Sequence, residues 1–271
     1  MEHHITWFTA LLNKLLGPFV VRALHAAGMH VHDEHQPIPE FVAMSVMVVL
    51  VCLVFVLWLK PRLSVDKPGA TQQVMEILIT NPTNFGIRDL LDQNVGHHGR
   101  KFLAAVGSVT VFVLVGNLLG VLPVFTSPTG HPSVPLACAL VTFIYFNYQG
   151  MRANGVIGYL KHFAGPSVFM APLLFPVEII STTARILSLT VRLWANMFSS
   201  ELVYFTILGL FVGPVNSFWH KTPAASVAFG IFAATIPAAF VALHVFVAVV
   251  QALVFTILPT VYLGQATAHE H

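Results

Sequence analysis

Residues 223–264 read PAASVAFGIFAATIPAAFVALHVFVAVVQALVFTILPTVYLG, with no Asp, Glu, Lys or Arg and a single histidine, His244. A stretch this long and apolar reads as membrane helix, because in hydrocarbon every backbone polar group must be satisfied within the segment. At 1.5 Å per residue it would run about 60 Å, twice the roughly 30 Å of hydrocarbon. Pro237 and Pro259 could kink it, but it has no polar turn. The region upstream, residues 172–212, is as long and also lacks one. Two long tilted helices are therefore predicted, forming a hairpin about a turn at Lys221-Thr222-Pro223. The alternative is one break in each.

Three shorter blocks extend the pattern. Phe41–Leu59, Phe102–Thr126 and Pro132–Met151 hold no charged residue. The 271-residue chain is 56% hydrophobic and 9% charged, where soluble domains carry about 25% charged residues. The predicted fold class is an all-α, polytopic integral membrane protein of about five transmembrane helices, over 40–59, 101–122, 133–150, 172–212 and 223–264. Residues 1–39 form an external N-terminal segment, in which Ile5–Ala27 reads as an interfacial helix, broken by Lys14, Pro18 and Arg22. Residues 40–265 form one membrane domain, and 266–271 a cytoplasmic tail. Within the membrane domain, 63–100 reads as a surface segment with helical pieces near 70–79 and 85–93, and 151–167 as a loop.

Basic residues set the orientation. With five crossings, one side holds Lys60, Arg62, Lys67, Arg88, Arg100, Lys101, Arg152 and Lys161; the other holds Lys14, Arg22 and Lys221. The richer side is cytoplasmic, which puts the N-terminus outside and the C-terminus inside.

Several function classes are disfavoured. No basic tract points to nucleic acid. Cys52 and Cys138 fall inside predicted spans and suggest neither a disulfide nor a metal site. His25, His30, His32 and His35, with Asp33 and Glu34, resemble a metal cluster but read better as a solvated tract, and no metal is assigned. The start Met1-Glu2-His3-His4 has no basic leader of a secretory signal. No phosphate-binding glycine loop is found, and no cofactor is expected.

The informative residues are the charges within 172–212: Glu178, Arg185, Arg192 and Glu201. A charge at the bilayer centre costs about 2.5–3.5 kcal/mol on insertion scales. Snorkelling to the headgroups can account for Glu178 and Arg185 near a helix end, but not for Arg192 near the middle. At 100° per residue, Glu178, Arg185, Arg192 and Ser199 share one face, with Asn196 on the same side. Glu201 points the other way, about 13.5 Å farther along the axis. On the last helix His244 and Gln251 are seven apart and share a face. In an antiparallel hairpin the pairs Glu201–His244 and Arg192–Gln251 both give a centre near residue 222. A lone buried histidine is usually structural, but one opposite a carboxylate in lipid reads as a proton-relay pair.

The run Ser188-Leu189-Thr190-Val191-Arg192-Leu193-Trp194-Ala195-Asn196-Met197, followed by Glu201, closely resembles the signature of subunit a of F-type ATP synthases. Two further stretches match: His244 and Gln251 with Ile257-Leu258-Pro259-Thr260-Val261-Tyr262-Leu263, and Asn117-Leu118-Leu119-Gly120-Val121-Leu122-Pro123. The resemblance covers roughly 40–265. Ala195, Ser199-Ser200 and Ala137 depart from residues frequent in the family.

The resemblance implies a non-catalytic proton-translocating subunit, bacterial, in the cell inner membrane. Arg192 would be the essential arginine facing the c-subunit ring. Glu201, His244, Gln251 and Asn117 would line a half-channel open to the outside. Glu178, with Asn196, would line the cytoplasmic one, and Arg185 matches an often basic position. Partners would be the c-ring, peripheral-stalk b subunits and the remaining ATP synthase subunits. A rival reading is an ion-coupled secondary transporter or channel using Arg192 as counter-ion, which predicts paired broken helices in a repeat. Another is a scaffold whose charges only bind partner helices.

Overall fold

The computed structural model describes residues 6–26, 28, 36–65, 67–80, 86–122, 125–164, 171–219 and 223–267. These form eight α-helices with three short 3-10 segments, and no strand occurs among the described residues. The helices are α1 (Trp7–Ala26), α2 (Glu40–Leu59), α3 (Ala70–Ile79), α4 (Ile87–Val95), α5 (Leu103–Leu119), α6 (Ser133–Ala164), α7 (Ala171–Trp219) and α8 (Pro223–Thr267). Five segments are long and apolar enough to cross a membrane: Glu40–Arg62, Gly99–Leu119, Ser133–Tyr159, Pro172–Ile207 and Thr235–Thr267.

α7 is a single helix of 49 residues and α8 one of 45. Neither takes the alternative of a break. α8 continues through Pro237 and Pro259, although each removes one backbone hydrogen bond. At roughly 70 Å each, such helices cannot stand upright within the hydrocarbon layer. Lys221 and Thr222, the expected turn, lie outside the described residues; Pro223 opens α8, where its missing N–H costs nothing. α1 runs unbroken through Pro18 and is not among the five crossing candidates. His30, His32 and His35 lie outside the described residues.

The surface pieces fall close to their expected places, at α3 and α4. The expected loop over 151–167 is corrected: α6 continues to Ala164, interrupted at Gly155, whose φ of 71° and ψ of 159° break the helical path. Arg152 and Lys161 lowered the hydropathy there without lowering helix propensity.

The chain divides into two compact units. One comprises Met1–Val48, Val115–His131 and Leu193–Val250; the other comprises Val49–Leu114, Pro132–Arg192 and Gln251–His271. In the second unit α4 buries Ile87, Leu90 and Leu91, one stripe of an amphipathic helix. Ile87 and Leu91 join Phe102, Val106, Phe146, Tyr159, Leu263 and Ala266 in a core cluster. Hydroxyl and amide bridges cross it: Thr110 Oγ1 to Thr256 Oγ1 at 2.7 Å, Asn154 Nδ2 donating to the Ala266 carbonyl at 3.0 Å, and Tyr159 donating to Asn147 Oδ1 at 2.9 Å.

Gly264 faces the backbone carbonyl of Asn94 so closely that an added Cβ would collide with it. Backbone cannot step aside as a side chain can. Gly264→Ala is expected to cost about 1–3 kcal/mol by overpacking. Gly107→Ala, where a Cβ meets open space, is the control. Thermal unfolding of the protein in detergent measures the difference, and equal midpoints for the two variants would contradict the close approach.

Candidate functional site

In the first unit the end of α5 and the loop after it build a holder for one carboxylate. Gly116 lies in the last turn of α5 and Gly120 directly follows the helix. A Cβ on Gly116 would meet Pro128 Cγ at 3.4 Å, and one on Gly120 would meet Ser127 Cβ at 2.7 Å. The loop thus folds back onto a strip without side chains. Pro128 starts the short 3-10 turn Pro128–Gly130, and Ser127 before it is extended, with φ −69° and ψ 122°. This turns the Ser127 N–H toward α7, where it donates to Glu201 Oε1 at 2.9 Å. A Cβ on Gly120 would lie 3.2 Å from Glu201 Oε1, and one on Gly130 would lie 3.0 Å from Oε2. The carboxylate therefore sits against two glycines, with an amide at one oxygen.

Asn117, fully buried, is the hub beside it. Its Oδ1 accepts the Thr129 hydroxyl proton at 2.6 Å, and its Nδ2 lies 3.5 Å from the Ala248 carbonyl of α8. His244 Nε2 lies 3.4 Å from the Asn117 carbonyl, a hydrogen bond in the tautomer that protonates Nε2. Ser127 Oγ lies 2.7 Å from Thr129 Oγ1 and donates to the Gly116 carbonyl at 3.1 Å. Glu201 and His244 both line one cavity of about 20 Å³, with Gly120, Tyr204 and Phe240.

Glu201 and His244, expected to pair, line the same cavity, and no ion pair joins them. The charged pairs include Arg88–Asp92 and Arg185–Glu178, each at 3.8 Å. Ser127 and Thr129 were not singled out from sequence. They read as ordinary turn residues, and nothing in the run Ser-Pro-Thr-Gly indicates that its amide reaches a carboxylate on α7.

In the second unit Arg185 pairs with Glu178 and also reaches α8. Its Nη1 lies 3.5 Å from Gln265 Oε1, and its Cζ stands 4.8 Å over the Tyr262 ring. Arg192 is exposed and forms no ion pair among the described residues. Gln251 is buried, and no hydrogen bond joins it to Arg192. On α7 beyond Arg192, Asn196 is half-buried, with its carbonyl accepting the Ser200 hydroxyl at 2.8 Å, and Ser199 is exposed.

Five crossing candidates, with an acid, an imidazole and a carboxamide gathered among apolar helices, define a polytopic membrane protein with a polar site within its apolar segments. The family described as ATP synthase A chain matches residues 41–264, and the chain belongs to that family. Its relatives include ATP synthase subunit a of Koribacter versatilis, 40% identical over 271 residues and 99% of each chain. That of Solibacter usitatus is 39% identical over 242 residues, 88% of this chain and 91% of the relative. That of Aquifex aeolicus is 36% identical over 204 residues, covering 75% and 88%.

Proposed function

We propose that this chain provides the stationary proton path of a rotary ATP synthase. The carrying observation is the Glu201 carboxylate, on the apolar helix α7, held by the Ser127 amide at a cavity it shares with His244. In this reading a proton from outside passes Glu201 and His244, supported by Asn117 and Gln251, and protonates a carboxylate of the c-ring. The neutral carboxyl then turns into lipid, because its desolvation cost has fallen. After nearly a full turn it releases the proton into a cytoplasmic path lined by Glu178 and Asn196. Arg192 faces the ring between the paths and, permanently charged, blocks direct passage. Each proton crossing 100 mV supplies about 2.3 kcal/mol. The chain itself makes and breaks no covalent bonds. Its partners are the c-ring, the peripheral-stalk b subunits and the rest of the synthase, in the bacterial inner membrane. The unbroken α7 and α8 disfavour the transporter reading, which calls for paired half-helices.

Glu201→Gln keeps the shape but cannot take up or release a proton. It is expected to cut ATP-driven proton pumping in membrane vesicles by more than about tenfold. Quenching of a pH-sensitive dye measures this, with the intact complex quantified in parallel. Pumping within twofold of wild type would overturn the path.

The basic asymmetry places the N-terminus outside and the C-terminus in the cytoplasm. A membrane-impermeant thiol reagent should label Pro132→Cys in intact cells and Lys161→Cys only after permeabilisation, in a background lacking Cys52 and Cys138. The reverse pattern would invert the topology.

A further inference from the structure

The first forty residues have no role in the path described so far, yet a continuous set of contacts leads from α1 to Glu201. Asn13 on α1 grips Ile38 from both sides: its Oδ1 accepts the Ile38 N–H at 2.9 Å, and its Nδ2 donates to the Ile38 carbonyl at 3.1 Å. Beside it, a Cβ on Gly17 would lie 3.4 Å from Pro37 Cγ, so α1 and Pro37–Ile38 lie in close contact. Two residues on, Glu40 Oε1 accepts the Thr126 hydroxyl at 3.2 Å. Phe41 stacks on the His131 ring, with centroids 4.0 Å apart and planes 2° from parallel. Thr126 and His131 are the two ends of the loop whose Ser127 amide and Gly130 lie against the Glu201 carboxylate.

We propose that the N-terminal arm, α1 with Pro37–Phe41, is a positioning element for outer proton uptake, clamping both ends of the loop that holds Glu201. This rests on the proton path proposed above. Ser127 delivers its amide to Glu201 from a stretch of six residues, and a short loop keeps a donor in register only if its ends are fixed. Inside, the loop is pinned to α5 through Thr129–Asn117 and Ser127–Gly116. Outside, Glu40 and Phe41 hold it. Glu40, Phe41 and His131 act through the loop; Thr126, whose hydroxyl Glu40 holds, also lines the cavity beside Glu201.

The test uses the complete synthase in inverted vesicles and right-side-out proteoliposomes. A Glu40→Met/Phe41→Leu variant removes the acceptor for Thr126 and the stacked ring from the arm alone, leaving the cavity lining unchanged. A shift of a catalytic group by about 1 Å can cost up to 10²-fold, so a fall in proton conduction of about tenfold per assembled complex is expected near neutral outside pH. The deficit should shrink to within twofold when the outside is made acidic, because slow capture is offset by more protons. Phe41→Tyr, which keeps the stacking face, should conduct within twofold of wild type. A merely structural arm would lower the amount of complex without moving the proton dependence. Should the double variant not accumulate, Glu40→Met alone carries the test, with about a threefold loss expected. Unchanged conduction overturns the proposal, as does a loss that acid does not relieve, or Phe41→Tyr failing as Phe41→Leu does. Glu201→Gln runs alongside: normal conduction there overturns the path itself, whereas normal conduction in the arm variants alone overturns only the arm's role.

Discussion

Arg192→Ala is expected to abolish proton-driven ATP synthesis while the membrane complex still assembles. The two arginines of α7 are treated differently by the fold. Arg185 has Glu178 at 3.8 Å, Gln265 at 3.5 Å and the Tyr262 ring beneath it. Arg192 is exposed and has no ion pair among the described residues. No acid stands one helical turn away, since positions 188, 189, 195 and 196 are Ser, Leu, Ala and Asn. A permanent charge within the crossing segment Pro172–Ile207 needs a counter-charge, because an unpaired ion in lipid is too costly. In the proposed reading that counter-charge, which needs another helix or chain, is a c-ring carboxylate. Removing the guanidinium removes both that contact and the barrier to direct passage, so passive proton leak should rise as synthesis falls to background. Arg192→Lys keeps the charge but loses the planar fork and some reach; it should fail in synthesis with less leak than Ala. ATP synthesis under an imposed gradient, with dye-monitored leak in the same vesicles, measures both. Near-normal synthesis by Arg192→Ala would sink the stator reading.

The second large effect concerns the cavity that Glu201 and His244 share. Either Glu201→His or His244→Glu alone leaves two groups of one kind there, and each should lower conduction by more than about tenfold. Making both changes together restores one acid and one imidazole to the same cavity. The combined variant should conduct several-fold better than either single change. It should remain below wild type, because the Ser127 amide is aimed at a carboxylate on α7 and the Asn117 carbonyl at an imidazole on α8. Initial rates of passive proton flux, per assembled complex, decide it. Flux in the combined variant no higher than in the singles would show that the two groups do not act in one site.

What the sequence revealed follows from where the physics is local. Crossing helices were legible because hydrocarbon imposes a length and an apolar composition on each one separately. Glu178, Arg185, Arg192 and Glu201 were legible because an ion in such a helix has few reasons to be there. The Glu178–Arg185 contact follows from a spacing of seven, two turns along one face. The continuation of α6 past Gly150 was missed because Arg152, Asn154 and Lys161 read as solvent-facing, although polar residues with helix propensity do not end a helix. Ser127 and Thr129 were missed for a different reason. The group that meets Glu201 is a backbone N–H, which every residue but proline carries, so side-chain identity could not mark it. Asn117 was found only by resemblance. Its own neighbours are apolar, and the Thr129 hydroxyl it needs comes from a turn twelve positions later.

The size of the cavity beside Glu201 and His244 bears on how a proton would cross it. At about 20 Å³ it has room for about one water molecule. Besides the Glu201 carboxylate its lining carries the hydroxyls of Thr126 and Tyr204, while Val121, Phe205 and Phe240 offer no side-chain oxygen. A proton can be handed across as a change of partner in a hydrogen bond, from a carboxyl to a single water to an imidazole. A chamber with one acid, one base and room for about one water thus suits a relay of single hydrogen-bond exchanges.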